Sequence, residues 1–83
     1  MSTLVKEAIE AIHSGRKEKA KQLLTQELKV NPTNDEAWLW MSTVVDTDDL
    51  RRDCLEEALK HNPRNKTARK VLAKHYRAKH GVR

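Results

Sequence analysis

The sequence predicts an all-α fold, on three observations. The 83-residue chain is rich in Ala, Leu, Glu and Lys, with only two Gly, two Pro and no Phe, a mixture that favours helix over strand. Apolar residues recur at helical rather than alternating spacing in five successive segments. One junction between segments also occurs twice. Leu28-Lys29-Val30-Asn31-Pro32-Thr33-Asn34, followed by Ala37, returns 31 residues later as Leu59-Lys60-His61-Asn62-Pro63-Arg64-Asn65, followed by Ala68.

In the first segment Leu4, Val5, Ala8, Ile9 and Ile12 fall on one helical face, with Ser2 or Thr3 available as N-cap. Ser14-Gly15 breaks the pattern, as a helix-terminating glycine does. A second helix is predicted from about Arg16, with Ala20, Leu23, Leu24 and Leu28 on its apolar stripe. Asn31-Pro32 stops it, because proline disfavours helical geometry in the residue before it.

For the third helix, Thr33-x-x-Glu36 fits a capping box, and Asp35 and Glu36 suit the positive helix start. Ala37, Trp38, Met41, Val44 and Val45 are expected on its inner face, Trp40 on the flank, and Leu39 exposed on the opposite side. Asp46-Thr47-Asp48-Asp49 opens a fourth helix, with Leu50, Cys54, Leu55, Ala58 and Leu59 inward and Asn62-Pro63 as its stop. The fifth is expected from about Asn65 to Lys79, with Ala68, Val71, Leu72 and Tyr76 inward and Gly81 after it. Connections of two to four residues make the helices antiparallel neighbours.

At this size there is one domain, near the lower limit for folding alone, so packing has to be efficient. A lone cysteine, Cys54, permits no internal disulfide, and no apolar run approaches the roughly 20 residues of a membrane span. The expectation is a soluble cytoplasmic protein with no cofactor. The net charge of +5 is unevenly spread. Residues 64–83 hold eight Lys/Arg and no acid, whereas residues 1–63 hold nine basic and twelve acidic residues.

These features together resemble a tetratricopeptide repeat, a unit of about 34 residues whose two helices carry W-x2-L-G-x2-Y, then A-x3-F, then P. Trp38, Met41, Ser42 and Val45, then Leu55, Ala58 and Pro63, occupy these positions in the second unit. Leu4, Ala8, Gly15, Ala20, Leu24 and Pro32 do so in the first, and Leu72, Ala73 and Tyr76 begin a third, with Arg69 in place of the Trp. The second unit is shorter than the first, and Arg51 stands where a small residue is usual. The resemblance implies an α-α superhelix within one domain, residues 1–83. Its units run about 3–32 and 33–63, and a capping helix follows at about 65–80. Each small residue lets two helix axes approach.

By the same resemblance, the first helix of each pair lines a concave groove made of Val5, Ile9, Leu39, Trp40, Thr43, Lys70, Lys74 and Arg77. Such a groove is apolar at one end and basic at the other. It would suit an acidic-hydrophobic peptide or protein segment, making the chain a non-catalytic adaptor. The plainer interpretation treats Val5 and Ile9 as core, and the basic fifth helix as a solvated exterior. Two alternatives stay open. The basic helix can attract nucleic acid phosphates, although Tyr76 is its only aromatic and no recognition-helix or zinc spacing is present. The apolar inner face can instead pair two copies in a weak homodimer. His13, His61, His75 and His80 form no metal-ligand cluster with Cys54, and no nucleophile–base grouping or glycine-rich phosphate loop supports catalysis.

Overall fold

In the computed structural model, which describes residues 2–79, the described residues form five helices and no strand. They are α1 (Thr3–His13), α2 (Lys17–Val30), α3 (Asp35–Met41), α4 (Asp48–His61) and α5 (Lys66–Lys79). The predicted stop at Gly81 lies outside the described residues.

Side-chain caps set most of the helix starts. Ser2 Oγ accepts from the Val5 amide at 3.1 Å, Thr47 Oγ1 from Leu50 at 3.1 Å, and Asn65 Oδ1 from Ala68 at 2.9 Å. α3 departs from expectation. Asn34, not Thr33, caps it through Oδ1 and the Ala37 amide, because Pro32-Thr33 are both used in the turn. α1 ends at His13 with Ser14 as its C-cap, and Gly15 follows at φ +76, a backbone conformation that β-carbon crowding denies to most residues. The Arg16 amide then reaches back to the Ala11 carbonyl at 2.7 Å and the Gly15 amide to that of Ile12, which lets α2 start at once without a side-chain cap.

Successive helices pack as neighbours: α1 on α2, α2 on α3, α3 on α4 and α4 on α5, with a lesser contact between α1 and α3. The extents of 40 × 26 × 17 Å fit two helix layers, since each helix with its side chains is about 10 Å across. One core cluster joins Val5, Ala8, Ala20, Leu24, Ala37, Met41, Val44 and Cys54. The other joins Leu39, Leu55, Ala58 and Ala68. α3 is shared between them, and Trp38 packs against both.

That sharing overturns the expectation for Leu39, which is only 7% exposed. A helix with a pair on either side buries two faces, so the side opposite Ala37 and Met41 is covered by α4 and α5. α3 is also short. It ends at Met41, and the turn after it carries Val44 into the core with Val45 half-buried. The hydroxyls of Ser42 and Thr43 bond the Leu39 and Trp40 carbonyls, and the β-branched run Thr43-Val44-Val45 is a poor helix former. Leu50 stands in the first turn of α4, after the connection that follows α3. Expected inward, it is 48% exposed. Tyr76, also expected inward, is 39% exposed, with its hydroxyl donating to Glu56 at 2.9 Å.

Candidate interaction site

The two Asn-Pro corners share a bonding pattern. At the first, Asn31 and Asn34 both donate their Nδ2 groups to Glu27 Oε2, at 3.0 and 2.8 Å. At the second, Asn62 and Asn65 both donate to Asp35 Oδ2, at 3.0 and 2.7 Å. Trp38 Nε1 donates to the Pro32 carbonyl at 2.8 Å, and Arg69 Nη2, 31 positions on, donates to the Pro63 carbonyl at 2.8 Å. Glu27 is buried, and the amide donors, Asn34 first, hold its carboxyl below the usual carboxylate range against the opposing effect of burial.

The first corner fixes Trp38. With its N–H tied to Pro32, the half-buried indole lines a shallow apolar cleft between α2 and α3. Thr25, Leu28, Lys29 and Met41 complete the lining of a cavity of about 320 Å³. Leu28 and Met41 sit on facing helices, and Lys29 makes no ion pair among the described residues. The cleft can accept one or two aliphatic side chains beside a negative group. Tryptophan and methionine are both enriched in protein–protein contacts.

The groove expected from the sequence is not assembled as one surface. Val5 is fully buried and Leu39 nearly so, which removes both from contact with a partner. Ile9 and Trp40 are half-buried and pack onto the first core cluster. Trp40 meets His13 edge-on at 6.4 Å between ring centroids, and its Nε1 is buried without a hydrogen-bond partner among the described residues. Thr43 is exposed, its hydroxyl bonded to the Trp40 carbonyl. Lys70, Lys74 and Arg77 are exposed on α5.

Trp38, expected in the core, packs against both core clusters but stays half-buried and borders the cleft. A signal was present: the 31-residue shift pairs Trp38 with Arg69, whose guanidinium has to reach water, so the position borders the surface.

A second cavity, of about 390 Å³, lies between α4 and α5 and is lined by Asp48, Arg51, Val71, Lys74, His75 and Ala78. Here Arg51 binds Asp48 at 3.1 Å and the Ser42 carbonyl at 3.2 Å. Elsewhere Lys17 and Lys21 both pair with Asp46, at 3.1 and 3.2 Å, tying the α3–α4 connection to α2. The Lys17 contact is the first of the causes that hold the Asp46 carboxyl low. Cys54 is buried, and burial pushes its thiol up to about 11, which keeps it from reacting as a thiolate. Among the described residues no His, Cys, Asp and Glu side chains group to hold a metal ion, and no helix is long and apolar enough to cross a membrane.

No protein-family model, curated protein or solved structure matches the chain.

Proposed function

We propose that the chain is a non-catalytic interaction module, a tetratricopeptide-like adaptor, that seats a short segment of a partner protein in the cleft between α2 and α3. The observation that carries this reading is the Trp38 indole, held open to the cleft by its bond to Pro32 and flanked by Leu28 and Met41. Lys29 at the rim favours an acidic residue beside the apolar anchor, so the partner segment is acidic-hydrophobic. The matched Asn-Pro corners support the tetratricopeptide-like part of the reading, since a repeated junction is what stacked helix pairs use. A cytoplasmic setting belongs to the same proposal, motivated by a single buried thiol.

The test is selection of peptides from a random displayed library against the wild-type chain, with the Leu28→Glu variant as counter-target. Enriched peptides carrying an aliphatic or aromatic anchor next to Asp or Glu, and binding the variant at least about tenfold more weakly, support the reading. Peptides that bind both proteins equally, or no enrichment at all, contradict it. Sedimentation of the unliganded chain distinguishes the remaining arrangement. A dimer dissociated by Leu28→Glu would assign the cleft to a second copy.

A further inference from the structure

On α5, Lys66, Lys70, Lys74 and Arg77 fall within about 80° of one another at 100° per residue, and span about 16 Å of helix at 1.5 Å per residue. All four are exposed. α5 contains no acid, and every ion pair of the described residues lies between Lys17 and His61, so none neutralises this stripe. Lys74 borders the cavity that holds Asp48, but that carboxylate is engaged by Arg51 at 3.1 Å.

The stripe occupies the open end of the stack. The 31-residue shift maps Leu39 onto Lys70, and Leu39 is the residue of α3 that α4 and α5 cover. On α5 no further helix of the described residues covers the corresponding face. A polar end is what a stack needs to stay soluble, and mixed charges would serve. This end is instead uniformly cationic, at a cost to the helix. Lys66, Lys70 and Lys74 repel at four-residue spacing, and Lys66 opposes the positive helix start, where no acid stands. An external polyanion offsets those repulsions.

From this arrangement we propose that the Lys66–Arg77 face of α5 binds the phosphate backbone of duplex nucleic acid, without sequence preference. A duplex carries one negative charge per roughly 1.7 Å of its axis, dense enough to meet all four cations over the length of the stripe. An acidic protein surface fits less well, because the stripe has none of the exposed apolar anchors that protein contacts use. The exposed large apolar side chains, Val30, Leu50 and Tyr76, lie elsewhere. Unstacked single strands are disfavoured too, since the Tyr76 ring lies off the stripe with its hydroxyl held by Glu56. The surface is separate from the α2–α3 cleft, so a failure of either proposal leaves the other standing.

The experiment is a fluorescence-anisotropy titration of a short random-sequence DNA duplex with the whole chain, between about 50 and 200 mM salt. Arms with single-stranded DNA and with poly-L-glutamate run alongside. The expected result is duplex binding that weakens with salt. In the Lys70→Ala/Lys74→Ala variant, the log–log salt slope becomes shallower by about 1.8 and low-salt affinity falls at least about tenfold. A Lys6→Ala/Lys19→Ala control, which removes the same charge from exposed positions on α1 and α2, should bind as wild type. The proposal is overturned by no duplex binding at the lowest salt, by a double variant with unchanged slope and affinity, or by tighter binding of poly-L-glutamate or single strands than of duplex. Circular dichroism of each variant verifies that these exposed substitutions leave the helices intact.

Discussion

Asp35 on α3 does for the second corner what Glu27 on α2 does for the first. Each carboxylate accepts from both asparagines of its corner, through a single oxygen. The position equivalent to Glu27 in the second unit is Ala58, which the core requires to be small. The carboxylate therefore comes from the preceding helix. The first corner is closed by its own hairpin, whereas the second ties α5 to the N-terminus of α3.

Removing the first carboxylate leaves two amides unpaired beside a buried site, so Glu27→Ala should lower stability by about 1–3 kcal/mol, and Glu27→Gln by less. The donors depress the Glu27 carboxyl in the folded state. A depressed group stabilises the fold fully above its unfolded value, near about 4.3, and loses that contribution as pH falls toward its folded value. Urea unfolding at about pH 6 and about pH 3.5 should therefore show a larger drop for wild type than for Glu27→Gln. Equal drops would remove Glu27 as a contributor to acid sensitivity.

Asp35→Ala should act at a distance. It frees the Asn62 and Asn65 amides, leaving, among the described residues, the 3.4 Å bond of Asn65 to Glu36 as the hydrogen bond between this corner and α3. A global loss of about 1–2 kcal/mol is expected. Hydrogen exchange should accelerate in α5 before it does in α1 and α2. Acceleration spread evenly over the five helices would contradict this role.

Leu50 and Leu55 make a matched pair on one helix. Leu55 is fully buried among Leu39, Ala58 and Ala68, and Leu50 is 48% exposed. Leu55→Ala should cost about 2–5 kcal/mol by thermal or urea unfolding, and Leu50→Ala less than about 0.5 kcal/mol. Similar losses for both would mean that the first turn of α4 is covered after all.

Much of this architecture is legible in the sequence, because local chemistry writes it. Ser2, one of two candidates, caps α1, Asp46-Thr47-Asp48-Asp49 does open α4, Gly15 turns the chain where only a flexible residue fits, and the two prolines stop α2 and α4. What was not legible depends on neighbours. Leu39 reads as exposed until it is known that α3 has a helix pair on each side. The early end of α3 at Met41 goes with the hydroxyl bonds of Ser42 and Thr43 to the carbonyls before them. Trp38 is apolar and periodic, which says core. In the fold its N–H is bonded to the Pro32 carbonyl and its ring lines the cleft. The cations of α5 were visible as charge, but that Lys66, Lys70, Lys74 and Arg77 form no ion pair among the described residues is a property of the folded surface.

The most direct test of the central claim is two-dimensional NMR of the labelled chain, titrated with a peptide selected as described above. Perturbations should concentrate on Thr25, Leu28, Lys29 and Met41 and on the Trp38 indole N–H, leaving the Trp40 indole unmoved. Shifts that gather instead on Ile9, Trp40, Thr43 and Lys70, the face first expected from the sequence, would contradict the assignment of the binding site to the α2–α3 cleft.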